Sequence, residues 1–127
     1  MQDVFPYSVT AAIPVARNDQ DTAARGYQYR EELTERLVFT CGGRWLGSGF
    51  GSLNKTDPYA AFDICVLFPD ETSAKNATMF AKKWLWNRGY VIGTGSEMQY
   101  DGKAYVYWRK SPSIEPPQKP KTRKKFK

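Results

Sequence analysis

Histidine occurs nowhere in the 127 residues. Its absence removes serine–histidine and cysteine–histidine nucleophile systems, the commonest general base, and every metal site built on imidazole. Thiols are scarce: Cys41 and Cys65 stand far apart, with no C-x-x-C, and two thiols cannot complete a four-cysteine zinc centre. No metal and no cofactor is expected. No apolar run approaches the roughly 18 residues of a membrane span, and the beginning of the chain lacks the charged-then-apolar pattern of a signal peptide. With Met1 in place, these absences predict a cytoplasmic chain with reduced, buried thiols and no membrane contact. Nor do the carboxylates make a poised pair. Glu31, Glu32 and Glu35 belong to one solvated helix face, and Asp57, Asp63, Asp70 and Glu71 are scattered. No catalytic residue is expected, and the chain reads as a non-enzyme.

What is present is an aromatic-rich globular chain, 41% hydrophobic and 15% aromatic, too apolar to stay unfolded. Its length suits one domain. The net charge of +6 is unevenly placed. From Ser111 onward, Lys119, Lys121, Arg123, Lys124, Lys125 and Lys127 face a single acid, Glu115, which leaves that segment at +5 and residues 1–110 at +1. Four prolines (Pro112, Pro116, Pro117, Pro120) fall in the same stretch. Residues 1–110 are therefore read as one domain and 111–127 as a flexible basic tail on a nearly neutral body.

Periodicity orders the body. Phe5, Tyr7, Val9, Ala11, Ile13 and Val15 alternate with smaller or polar residues, which predicts a half-buried strand. Its two prolines, Pro6 and Pro14, place a free edge near its ends. Asp21 or Thr22 can cap a helix carrying Gly26, Arg30, Leu33, Leu37 and Cys41 on one stripe, stopped by Gly42-Gly43. Residues 37–40 fit either helix or strand. A glycine-alternating strand is expected from Trp45 to Leu53, then a turn from Asn54 to Pro58. Residues 60–68 alternate most clearly, with Phe62, Ile64, Val66 and Phe68 on one face. Asp70 to Ser73 can cap a second helix with Ala74, Ala77, Phe80, Ala81, Trp84, Leu85 and Arg88 on its inner stripe and Gly89 as its stop. Residues 90–92 are expected to begin a strand. Asp101-Gly102 then signals a hairpin turn into a last strand over 103–109.

The resulting order is β-α-β-β-α-β plus an extra C-terminal strand. Its first six elements resemble the split β-α-β arrangement of ferredoxin-like domains, over about residues 4–100. That resemblance implies an α+β sandwich: an antiparallel sheet with two helices on one face and a disordered basic tail. The second face would be solvated, paired with a partner, or covered by the extra strand. Such a fold is widely reused and implies no function.

Four features bear on binding. Residues 46–51, L-G-S-G-F-G, resemble the phosphate-covering loop of protein kinases one residue short. However, no following V-A-I-K, H-R-D or D-F-G supports that chemistry. The segment is read as a glycine-rich strand or bulge, able to let a phosphate or a partner strand approach. The off-face of the second helix carries Lys75, Met79, Lys82, Lys83 and Trp86 at helical spacing. Trp86 either packs beneath the C-terminal hairpin or the root of the tail, or stands out to stack on a base or anchor in a partner. On the last strand Tyr105, Tyr107 and Arg109 share a face, and residues 102–107 resemble the aromatic-rich strand of RNA-recognition domains, displaced to the fifth strand. The tail can neutralise phosphates and release counterions.

Two functions follow as expectations. The first is a small non-catalytic nucleic-acid-binding protein, using the six tail cations with Lys82, Lys83, Trp86, Tyr105 and Tyr107. The second is a protein-interaction module, an adaptor or inhibitor of the kind carried by phages and mobile elements. It would use Lys75, Met79, Lys82, Lys83 and Trp86, or the open sheet face bearing Cys65 and Tyr107. Homodimerisation through open sheet faces is compatible with either.

Overall fold

The computed structural model describes residues 4–52 and 56–110. Its elements run β1 (Tyr7–Ala16), α1 (Gln20–Glu35), a π-helical turn (Arg36–Thr40), β2 (Arg44–Gly51), β3 (Tyr59–Phe68), α2 (Glu71–Trp86) and β4 (Tyr105–Lys110). The strands form one antiparallel sheet in the order β2-β3-β1-β4. The fold is thus α+β, a four-stranded antiparallel sheet with two helices, consistent with a ferredoxin-like arrangement. No described helix is long and apolar enough to cross a membrane.

Local chemistry explains the elements. Asp19, in extended conformation, caps α1 by accepting from the backbone N–H of Asp21 and Thr22; the expected cap lay two or three residues later. Asp70 caps α2 as expected, through Ser73 N–H at 2.8 Å. That hydrogen bond holds its carboxyl below the usual carboxylate range. Residues 37–40 are helical, and they widen into a π turn. The widening keeps Leu37 in the core while Phe39 turns out to solvent, 83% exposed.

Both helices cover one side of the sheet. Val9, Ala11 and Ile13 from β1 and Ile64, Val66 and Phe68 from β3 share a buried cluster with Leu33 and Leu37 of α1 and Ala77, Ala81 and Leu85 of α2. α1 approaches closely because of Gly26: a Cβ there would lie 3.1 Å from both Phe62 and Val15. The helices meet through Tyr29 edge-on to Trp84, centroids 5.7 Å apart, with the Arg88 guanidinium 3.5 Å above the Trp84 ring. Phe62, expected in the core, is half-buried instead, in an aromatic group with Phe50 and Tyr27.

Two expectations about the C-terminal half are corrected. Residues 90–92 form no strand; Ile92 makes one isolated parallel bridge to Ala104, and the fourth strand is 105–110. The fifth strand expected from the sequence is therefore absent among the described residues. β1 is central, with β3 on one side and β4 on the other. Its β4 partners end at Ala12, so Pro14 sits where one side of the strand is unpaired, which is how a proline is accommodated there. The expected strand end at Leu53 and part of the turn over 54–58 lie outside the described residues, as do 111–127.

A loop, not a strand, covers one end of the second sheet face. Met98 and Tyr100 pack against Ala12, Ala61 and Tyr105, and the Tyr105 hydroxyl donates to Asp101 at 2.9 Å. Gly93 makes this closure possible, because a Cβ there would collide with the Tyr105 ring. Gly93→Ala is expected to cost roughly 1–3 kcal/mol by forcing Tyr105 from its site. Urea unfolding checks this; an unchanged midpoint would show that the loop carries no stability.

Candidate functional site

The outer face of α2 is where the sequence-predicted site residues gather. The inner stripe (Ala74, Ala77, Ala81, Leu85) is buried against the sheet, so residues at the complementary spacing point outward. Trp86 is 62% exposed and Met79 69% exposed. Trp86 thus packs under neither the C-terminal loop nor β4, and both side chains stand at the surface. Together with Lys82, Lys83 and Ile92 they line one shallow, mainly apolar depression.

Ile92 was not in the predicted set. It arrives because Gly89, at φ +96°, reverses the chain after α2, and the N–H of Tyr90 then bonds back to the Leu85 carbonyl at 3.2 Å. The bridge to Ala104 fixes Ile92 beside the end of the helix. The only local signal for it was the helix-stop glycine.

The cations of this face divide. Lys75 pairs with Glu71 at 2.8 Å and lies 5.8 Å from the Trp108 ring centroid. At eleven residues from Trp86 it is about 16 Å away along the helix, outside the depression. Lys82 and Lys83 are exposed and have no carboxylate partner among the described residues. They rim the apolar floor with uncompensated positive charge.

The tyrosines do not join this surface. Tyr105 is 2% exposed; with its ring buried and its hydroxyl held by Asp101, it has no face to offer a base, which corrects its predicted role. Tyr107 projects from the opposite side of the sheet, since it pairs with Thr10 while the core side of β1 carries Val9 and Ala11. There it belongs to a polar cluster. The Thr10 hydroxyl there favours the ionised forms of the Cys65 thiol and the Tyr107 phenol, against burial, and Arg109 lies 5.0 Å from the Tyr107 ring. Burial pushes both the Cys65 thiol and the Tyr107 phenol above their ordinary values. Both cysteines are free and half-buried, and burial raises the Cys41 thiol too, which leaves neither activated as a nucleophile. The sheet therefore separates Trp86 from Tyr107, and the two cannot grip one ligand. Lys119, Lys121, Arg123, Lys124, Lys125 and Lys127 lie outside the described residues.

Among the described residues Asp63 is the one carboxylate set within the sheet. Burial raises it above the ordinary 3.8, against the opposing pull of Arg30 and of the Gly49 backbone N–H. The folded protein therefore holds this proton to higher pH than the unfolded chain does. The resulting stabilisation is full below the ordinary carboxylate pKa and is lost as pH rises through the raised value. Asp63→Asn removes the titration. Between about pH 3.5 and pH 6 the urea midpoint of the wild type is expected to fall relative to that of the variant. Parallel curves would show that Asp63 does not titrate in this window.

Comparison with protein-family models, curated proteins and solved structures finds no match for this chain.

Proposed function

We propose that this protein is a non-catalytic protein-interaction module that receives an apolar, acidic segment of a partner on the outer face of α2. The observation that carries this reading is the floor made by exposed Trp86 and Met79 with half-buried Ile92, and the uncompensated Lys82 and Lys83 at its rim. Large aromatic anchors in an apolar depression are the groups that dominate protein interfaces. The lysines favour carboxylates beside the anchor and speed encounter with an acidic partner. An adaptor or an inhibitor would both work this way, and neither needs catalytic groups. The split β-α-β reading of the fold accompanies this proposal: it uses the element order to leave the outer face of α2 free, but it selects no function by itself.

A second reading, nucleic-acid binding, is favoured by the +5 charge of residues 111–127. It would rest on the tail cations with Lys82, Lys83 and Trp86 as accessory contacts. A random peptide library selected on the full chain, with counter-selection on Trp86→Glu, separates the two. Acidic sequences with an apolar anchor, lost on the variant, support the interaction module. Peptides indifferent to Trp86→Glu, or none at all, reject it. Salt-sensitive binding of a single-stranded oligonucleotide in the same preparation would then favour the tail.

A further inference from the structure

A second apolar surface lies on the other flank of the molecule, and no sequence feature of the α2 face accounts for it. Among the described residues β2 is an edge strand, hydrogen-bonded only to β3 in the sheet. Natural edges usually carry lysine, proline or a covering element. From Trp45 to Gly51 this edge carries none of the charged residues or prolines that would guard it. Instead Trp45, Leu46 and Phe50 are exposed by 53%, 51% and 56%. Trp45 and Phe50 point to the same side: they oppose Val66 and Phe62 of β3, both on the helix-covered side of the sheet. The register shift between Trp45 and Gly47 makes this possible, because it leaves Leu46 as the extra residue of a bulge. Tyr27 of α1, itself exposed, extends the strip by packing edge-on against Phe62, which in turn contacts Phe50.

We infer that two copies of this chain associate through this strip, related by a two-fold axis passing near Ser48, with Trp45 of each copy against Phe50 of the other. Three observations point to a second copy as the occupant. The strip has a large aromatic near each end of β2 on one face, so a two-fold rotation superposes unlike aromatics and brings each into contact. Gly47 and Gly49 between them, and Gly51 beyond, present no side chain to hold the strands apart. The area suffices: half-exposed Tyr27, Trp45, Leu46 and Phe50 with the strand between them bury about 500 Å² per copy, hence about 1,000 Å² in a pair, the threshold for a specific interface.

The centre of the edge also explains why the contact closes as a pair. Gly49 is already engaged within the chain: its carbonyl accepts from Arg30 at 3.4 Å, and a Cβ on it would lie 3.3 Å from the Asp63 carboxylate. A continuous ladder from copy to copy is thereby interrupted, and side chains carry the association. An isologous contact of this kind satisfies both strips at once and leaves none for a third copy.

Sedimentation equilibrium of the full chain, from about 2 to about 200 µM, tests the inference across the micromolar range of association. The wild type is expected to rise from 14.5 kDa towards twice that mass. Trp45→Lys and Leu46→Asp, both at exposed positions, are expected to stay at the monomer mass while unfolding with a wild-type midpoint. Trp86→Lys is expected to dimerise normally, which keeps this inference separable from the α2 proposal. A wild type that remains monomeric at the highest concentration overturns it. So does a dimer that survives both edge variants, or one abolished by Trp86→Lys.

Discussion

Phe68→Ala is expected to cost about 3–5 kcal/mol, a large share of the roughly 5–15 kcal/mol that holds a domain of this kind together. Phe68 ends β3 opposite Tyr7 and is fully buried. The chain leaving the π turn crosses directly over it: a Cβ on Gly43 would collide with the Phe68 ring and with Val66. The backbone of Gly43 also donates to the Leu37 carbonyl at 3.0 Å, so the crossing is tied to the helix end and cannot easily sink into a cavity. Truncating the ring therefore leaves a void instead of a collapsed site. Urea unfolding followed by far-UV circular dichroism measures the loss. A cost under about 1.5 kcal/mol would show that the β2 entry relaxes into the space. Phe62, on the same strand and the same face, is the internal comparison. Being half-buried, it should lose only about 1–2 kcal/mol on truncation. Equal losses at the two positions would contradict the placement of the core towards the Phe68 end of β3.

Trp86→Glu carries the largest expected effect on binding. The indole is mostly exposed, so removing it should change stability by no more than about 0.5 kcal/mol. Against a peptide selected on the wild-type protein, the same change is expected to weaken affinity at least about 30-fold, corresponding to roughly 2 kcal/mol for a central aromatic anchor. The introduced carboxylate adds repulsion against an acidic partner. Lys82→Glu and Lys83→Glu should each weaken binding less, about 3- to 10-fold, and the loss should shrink as salt is raised, because rim charges act mainly on encounter. Isothermal titration calorimetry at two salt concentrations resolves both. If the lysine variants cost more than Trp86→Glu and salt removes nearly all binding, the face is an electrostatic patch and the anchor reading is wrong.

Local pattern was enough for much of this protein. Period-two alternation marked β1 and β3, the three-and-four spacing from Ala74 to Leu85 marked α2 and its buried stripe, and Asp70 marked its start. These features depend on residues within a turn or two of each other, so the chain carries them legibly. The same spacing put Met79, Lys82, Lys83 and Trp86 on one helix face. Whether Trp86 was covered depended on what the chain does after Gly89. An expected strand at 90–92 would have supplied a hairpin there; the observed chain instead folds residues 93–102 over the opposite sheet face. That choice also buried Tyr105, while the register of Tyr107 opposite Thr10 set it on the side of the sheet away from the helix. The exposed aromatics of β2 were equally hidden, because alternation reports which residues share a face and not which strand ends at the sheet edge. Sheet order is set by contacts between residues tens of positions apart, such as Ala11 with Ile64 and Val9 with Trp108. No window of the sequence holds both partners, so the accessible surfaces, and with them the candidate sites, were settled only when the strands took their neighbours.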